Sequence, residues 1–450
     1  MLVGRRVPRP RRRPQRSRGV GALVPATCGI YEALWLAKLH FRSARALYLH
    51  IPFCVRKCAY CDFASWGTDA RDPLVREYTA ALSHLLEEVA QAGLLEGCTT
   101  AYVGGGTPTL IGSGLADLVR RVRAVAPKVS ELTCEANPDS LTDELLYKLV
   151  DAGCTRLSIG VQSLDDGELQ TLGRIHTAWQ AKDRLSAAVA LGIDVSCDLM
   201  CALPGQTDKS WELTLREASS IGVGHVSVYP LQIEEGTAFD ERYGNEPLPW
   251  NDTEVQARRM QAACDMLESA GFERYEVASY ARPGRECHHN RAYWTAEPYL
   301  GLGCGASSML TREAYGRLRA VAHQLPELPY DVSRVRLTCT SGRSELARTR
   351  SLGDLSFDIE MLTEAQACAE DLMLSMRMVR GAGPGLVEHA RAVLGKREVD
   401  DTLAMCAERG LAHEQDGSWV PTHEGWLLGN ELYGLMWGLA PDEVRSFNSC

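Results

Sequence analysis

From residue 46 to residue 231, short apolar β runs alternate six times with stretches of helical character, a series that few architectures accept. The runs are Leu47 to Pro52, Thr99 to Val103, Glu131 to Ala136, Arg156 to Val161, Asp194 to Met200 and His225 to Leu231. Helical stretches of about ten residues or more fill the gaps, the first from about Pro73 to Ala92. Strand–helix units in series build parallel strands joined by right-handed crossovers. Six are too few to close an eight-stranded barrel, so the pattern predicts an α/β fold built on an open, partial (β/α)6 barrel. The unusual residues share one place in this scheme. A cysteine loop, the triplet Gly104-Gly105-Gly106, Glu135, Gln162 and Asp198 lie at or just beyond the C-terminal end of a predicted strand. Active sites of (β/α) barrels form on that edge, and packing alone gives no reason for these features to gather there.

Cys54, Cys58 and Cys61 stand as Cys-x3-Cys-x2-Cys within the run Tyr48 to Phe63. Four-iron clusters are usually held by four thiolates. Three thiolates in one tight loop leave one iron without a protein ligand. The amino and carboxylate groups of S-adenosylmethionine (SAM) can chelate that iron and receive an electron from the cluster. Zinc is the competing reading, because short Cys spacings also make zinc sites. It needs a fourth Cys or His within reach, and no second close pair follows soon after, so the [4Fe–4S] reading is the stronger. Cys197 and Cys201 repeat the Cys-x3-Cys spacing, but Cys197 lies inside a predicted strand and both read as packed thiols.

At 450 residues the chain has room for one large domain and a smaller one. Its 45% hydrophobic and 24% charged content is that of a soluble globular protein, and charged residues interrupt every candidate transmembrane stretch. Sixteen Cys are scattered without disulfide-framework spacing. Together with an oxygen-sensitive cluster they imply a reducing, cytoplasmic setting. Eight Arg and no acidic residue occupy the first 18 positions; without those eight, 40 basic side chains face 58 acidic ones. A body this acidic is a poor general binder of DNA or RNA, so no specific nucleic acid is expected. Pro8, Pro10 and Pro14 break any amphipathic helix through the Arg run. Residues 1–44 therefore read as a disordered extension, with a transit peptide or a nucleic-acid tail as competing readings.

After Trp250 the pattern changes to one helix (Thr253 to Ala270), a run from Tyr275 to Tyr280, and a Gly-rich loop carrying His289 and Trp294. Residues 45–310 are expected to form the core, and 311–362, without clear periodicity, a variable connection. Residues 363–450 are expected to form a small, mostly helical domain of winged-helix-like shape. Its parts are helices from Glu364 to Val379 and Gly385 to Leu394, a hairpin from Leu411 to Pro421 turning at Asp416-Gly417, and a helix from His423 to Trp437. Trp426 and Trp437 read as core.

Several motifs in order carry a resemblance. They are Tyr48 to Phe63, Val103 to Pro108, Cys134-Glu-Ala-Asn-Pro138, Arg156 to Gln162, Leu172-Gly-Arg-Ile-His176 and Leu203-Pro-Gly-Gln-Thr207. The chain resembles the oxygen-independent coproporphyrinogen III oxidase family of the radical SAM superfamily and, within it, the HemW branch of heme chaperones. That resemblance makes Cys54, Cys58 and Cys61 the cluster ligands and sets Tyr48 and Tyr60 beside the cofactor. It places Gly105, Gly106 and Thr107 at the methionine end of SAM, and makes Glu135, Gln162, Arg174 and Asp198 further SAM contacts. In general chemistry Arg174 can pair with a carboxylate, and Asp198 can accept from ribose hydroxyls. Two features separate the chaperone branch from the decarboxylating one. Phe63 stands where the decarboxylating branch carries a cysteine. His289-Asn290-Arg-Ala-Tyr293-Trp294 matches a motif associated with heme, in which an imidazole ligates iron and aromatic rings wall a flat macrocycle. The implied cofactors are a [4Fe–4S] cluster, SAM and heme, and the implied function is to bind heme and pass it to an acceptor protein. A membrane-associated acceptor and a homodimer are compatible with this. No catalytic residue is implied; the competing classes are a coproporphyrinogen dehydrogenase or another radical SAM enzyme.

Overall fold

The computed structural model describes residues 41–244, 246, 248–440 and 444–449, so the Arg-rich arm up to residue 40 lies outside the described residues. The expected series is present as β1 (Ala46–Ile51), β2 (Thr100–Gly105), β3 (Glu131–Ala136), β4 (Arg156–Gln162), β5 (Asp194–Cys201) and β6 (His225–Pro230). These six pair in that order, all parallel. Local chemistry sets the helix ends between them. In the helix Asp143–Ala152, Thr142 accepts from the Leu145 N–H, and Asp143 and Glu144 sit at the positive end of the helix dipole. Gly153, at φ +96°, ends it in a conformation that favours glycine. Leu145, Leu146 and Leu149 then bury one face against the sheet.

The barrel is open, and the sheet continues past both of its edges. β7 (Ser279–Ala281) adds antiparallel to β6, and β8 (Tyr299–Leu302) adds parallel to β1. Beyond β8 come β9 (Ser307–Thr311), β10 (Val332–Cys339) and β11 (Phe357–Thr363), all antiparallel, in a sheet of 13 strands. The stretch 311–362, expected as a variable connection, contributes β10 and most of β11 to this sheet, with helices Arg312–Arg319 and Arg343–Leu346 and loops between them. The expected core boundary at 310 falls inside β9.

The C-terminal unit has its own core, with Leu372, Leu386, Val399, Leu403, Leu432 and Met436 at its centre. Helices Glu364–Ser375 and Pro384–Leu394 follow expectation, but a third, Lys396–Glu408, intervenes before the hairpin β12 (Ala412–Gln415) and β13 (Ser418–Pro421). Asp416 and Gly417, both at positive φ, turn that hairpin as expected. The expected helix from His423 to Trp437 is broken at Leu428. Trp426 is buried, whereas Trp437 is 40% exposed and is not core. A last strand, β14 (Arg445–Ser449), returns to pair with β11. No described helix is long and apolar enough to cross a membrane.

Candidate cofactor site and heme-motif helix

The cysteine loop leaves β1 at Pro52 and is tied back at both ends. Phe53–Cys54 pairs with Trp66–Gly67, and the Thr68 N–H donates to the Cys54 carbonyl at 2.8 Å. The glycine triplet packs directly against this loop. Gly106 N–H donates to the Ile51 carbonyl and Thr107 N–H to the Phe53 carbonyl, each at 2.8 Å. A Cβ on Gly106 would lie 2.7 Å from the Phe53 carbonyl oxygen and 2.9 Å from the Cys54 sulfur, so only glycine permits the approach. Thr107 Oγ1 donates to the Cys54 sulfur at 3.5 Å and accepts from Asn137 Nδ2 at 2.9 Å. Arg174 spans Asn137 Oδ1 at 2.8 Å, the Gly160 carbonyl at 2.7 Å and the Cys58 sulfur at 3.5 Å. A guanidinium so placed stabilises a thiolate. Tyr60 packs beside it against Leu172 and Phe239.

The strand ends beyond the loop hold two half-buried carboxylates that form no salt bridge among the described residues. Glu135 accepts from the Gly105 N–H and the Tyr102 hydroxyl, both at 2.9 Å, and burial pushes its carboxyl up to about 7. Asp198 accepts from Ser158 Oγ at 2.7 Å and Ser196 Oγ at 3.1 Å, and burial likewise raises it. Gln162 takes φ +66° at a register shift in the β4–β5 pairing. Such a conformation costs roughly 1–3 kcal/mol for a residue other than glycine and gathers at functional positions. Tyr48 completes the group, stacked on Tyr102 with its hydroxyl 3.0 Å from His50 Nδ1. Gly106, Thr107 and Arg174 thus meet the cysteine loop that carries Tyr60. Gly105 joins Glu135 directly and Tyr48 joins it through Tyr102, while Gln162 and Asp198 lie on the adjoining β4 and β5. Tyr102, Asn137 and His50 join them unannounced; an inward position two residues before the glycine triplet was the available sign for Tyr102.

The motif around His289 forms a helix, His288–Trp294, at the opposite end of the strands. Its first N–H groups, from His288 and His289, donate to the two oxygens of Glu131 at 3.0 and 2.8 Å, and Glu131 begins β3. His289 is not open to a ligand here: it is 1% exposed, stacked on Tyr102 at 5.1 Å, with Nδ1 3.0 Å from Thr100 Oγ1. Burial lowers its imidazole to about 3, and its Nε2 has no hydrogen-bond partner. The helix turns position 289, named above within the heme motif, onto β2. Tyr293 meets His289 edge-on, while Asn290, Tyr293 and Trp294 line a cavity of about 410 Å3.

Residues 48–218 match the model of the Radical SAM superfamily. A heme chaperone, HemW, of Bacillus subtilis (strain 168) is 31% identical over 402 residues, spanning 88% of this chain and 99% of that protein. The chain belongs to the HemW family. HemW of Escherichia coli (strain K12) is 37% identical over 270 residues, 59% of this chain and 70% of that one. Among solved structures, coproporphyrinogen III oxidase (HemN) from Escherichia coli, described as a radical SAM enzyme, superposes with a TM-score of 0.69 at 20% identity, covering 90% of this chain and 93% of that one. That likeness is one of fold.

The cofactors of a HemW-family radical SAM chain are a [4Fe–4S] cluster and SAM, and the rim fits both. Cluster thiolates each take a separate iron. The cradle at Gly106 brings backbone against Cys54, and two uncompensated carboxylates suit a cationic ligand. SAM affinity is therefore expected to fall as pH drops through about 7, because protonation of Glu135 removes the negative charge that a sulfonium or ammonium group would meet. Calorimetry across neutral pH checks this. Glu135→Gln should bind SAM more weakly and flatten the profile, and an equally steep profile in that variant would remove Glu135 from the site.

Proposed function

We propose that this chain is a heme chaperone, taking up heme at the His288–Trp294 helix and passing it to a heme-accepting protein. The observation that carries the reading is the match along 99% of the Bacillus subtilis heme chaperone. Phe63, 59% exposed on the cysteine loop, supports it, since the decarboxylating branch carries a thiol there. In this reading Cys54, Cys58 and Cys61 hold the cluster. Glu135, Gln162, Arg174 and Asp198 contact SAM, and the pair serves regulation or oligomerisation rather than porphyrinogen oxidation. Asn290, Tyr293 and Trp294 belong to the heme-binding helix, with His289 seating it on β2. The setting is cytoplasmic. The acceptor is a heme protein, at a membrane or free, and a homodimer is compatible with the scheme.

The test is one anaerobically reconstituted sample divided between three assays. Heme titration should saturate in stoichiometric proportion to the chain, and bound heme should move to a heme-free acceptor protein. Coproporphyrinogen III with SAM and a reductant should give no decarboxylated product. Robust protoporphyrinogen formation, free of contaminating oxidase, would replace the chaperone reading with the enzymatic one.

A further inference from the structure

The helix His288–Trp294 separates two cavities, and its residues divide between them with helical period. His288, Arg291, Ala292 and Thr295 fall at i, i+3, i+4 and i+7, a single helix face. All four line a cavity of about 450 Å3 between this helix and the C-terminal unit. Asn290 and Tyr293 line the 410 Å3 cavity on the barrel side, and Trp294 borders both. His289 borders neither.

We propose that heme enters the 450 Å3 cavity and that His288, not His289, ligates its iron, with Arg45, Arg291 and Arg380 facing the propionates. The inference rests on the heme-chaperone reading and names the site within it. The volume lies within the range of pockets for compact organic ligands. The wall facing the helix sets Met378, Pro384 and Leu386 beside the polar Asp371, Ser375 and Arg380, and Trp294 supplies an aromatic edge. His288 is exposed, and its backbone N–H on Glu131 fixes where the side chain emerges. Three arginines line the cavity against two carboxylates. Of those, Glu297 meets Arg45 at 3.4 Å, and Asp371 is held by Arg334 at 2.7 and 3.0 Å. Arg291 pairs with Glu286 at 2.7 Å, a partner that a propionate can replace. The second cavity has the opposite character. Glu276 and Glu370 line it, its Arg336 is already paired with Glu370 and Glu360, and it offers neither imidazole nor thiol.

The experiment titrates the reconstituted full-length chain with heme, followed by the Soret band, and with metal-free protoporphyrin IX, followed by porphyrin emission. His288→Ala should lose the imidazole-ligated Soret signature and weaken heme roughly ten-fold or more, while protoporphyrin affinity stays within about two-fold. Gly383→Trp should weaken both ligands by roughly ten-fold. Gly383 lines the cavity, has φ −71°, and a Cβ there meets nothing within 4 Å, so a side chain can start there without backbone strain, and unchanged circular dichroism confirms the fold of the variant. His84→Ala, an exposed position on the distant helix Pro73–Gln91, should match the unaltered protein. An unchanged Soret signature in His288→Ala, or unchanged affinities in Gly383→Trp, would overturn this placement and leave the chaperone reading standing. An unaltered protein that binds no heme at all would overturn the chaperone reading itself.

Discussion

Alanine at Cys54, Cys58 or Cys61, each alone, is expected to abolish the iron–sulfur absorbance of the reconstituted protein, whereas Cys197→Ala and Cys201→Ala leave it intact. Each of the first three thiolates takes a different iron, and with only three protein ligands no spare thiolate fills a vacancy. The loop itself should survive the change. Backbone hydrogen bonds tie it at Pro52, Phe53 and Cys54 and do not depend on the sulfurs, so circular dichroism should stay unaltered. Cys197 and Cys201 share the Cys-x3-Cys spacing but not the setting. Both are fully buried in β5, and burial pushes the Cys201 thiol up to about 12, where no useful thiolate exists at neutral pH. Iron and sulfide content beside the visible spectrum provides the measurement. Equal loss from the second pair would transfer the ligand assignment to β5.

The rim was legible in the sequence because its signals are local. A cysteine spacing, a glycine triplet and strand-end polar residues each stand out within a few positions, and the strand–helix alternation says they share an edge. Residues that reach the rim only through tertiary placement were not legible. Asn137 bridges Thr107 and Arg174 across three strand ends, and nothing beside it in the chain says so. β10 and β11 were missed for a different reason. Val335, Leu337 and Cys339 are buried in strict alternation, but Arg334 and Arg336 occupy the other face and make it look solvated. That face is covered by the helix Glu364–Ser375, whose Glu370 and Asp371 neutralise the arginines. Hydrophobic periodicity cannot distinguish a charge paired under a helix from one in water. The helix Lys396–Glu408 was missed because its apolar stripe is narrow, with only Val399, Leu403 and Cys406 buried. The choice between His288 and His289 has the same origin. The motif spacing selects 289, while the phase of the helix against β2 decides which imidazole meets a cavity.

That arginine pairing supports the largest stability effect expected here. Arg334→Ala should destabilise the protein by about 3–5 kcal/mol, because it strands a buried carboxylate. Arg334 grips Asp371 with two parallel bonds at 2.7 and 3.0 Å and reaches Glu370 at 3.3 Å, with all three side chains at most 11% exposed. Arg336 remains to serve Glu370, so Asp371 carries most of the loss. Replacing both partners, as Arg334→Met with Asp371→Leu, should recover most of the stability, since the desolvation cost of two charges disappears along with their attraction. Urea unfolding of the single and double variants measures both. A loss below about 1 kcal/mol in Arg334→Ala would mean that water screens the pair as it does at a surface. The consequence for function is directional. Asp371, Ser375 and Met378 line the 450 Å3 cavity, and the Asp371 grip holds the helix Glu364–Ser375, which carries the first two and leads into the third, onto β10. Arg334→Ala should therefore weaken heme while the cluster spectrum stays unchanged, because the cysteine loop hangs from β1 and β2 at the other end of the strands.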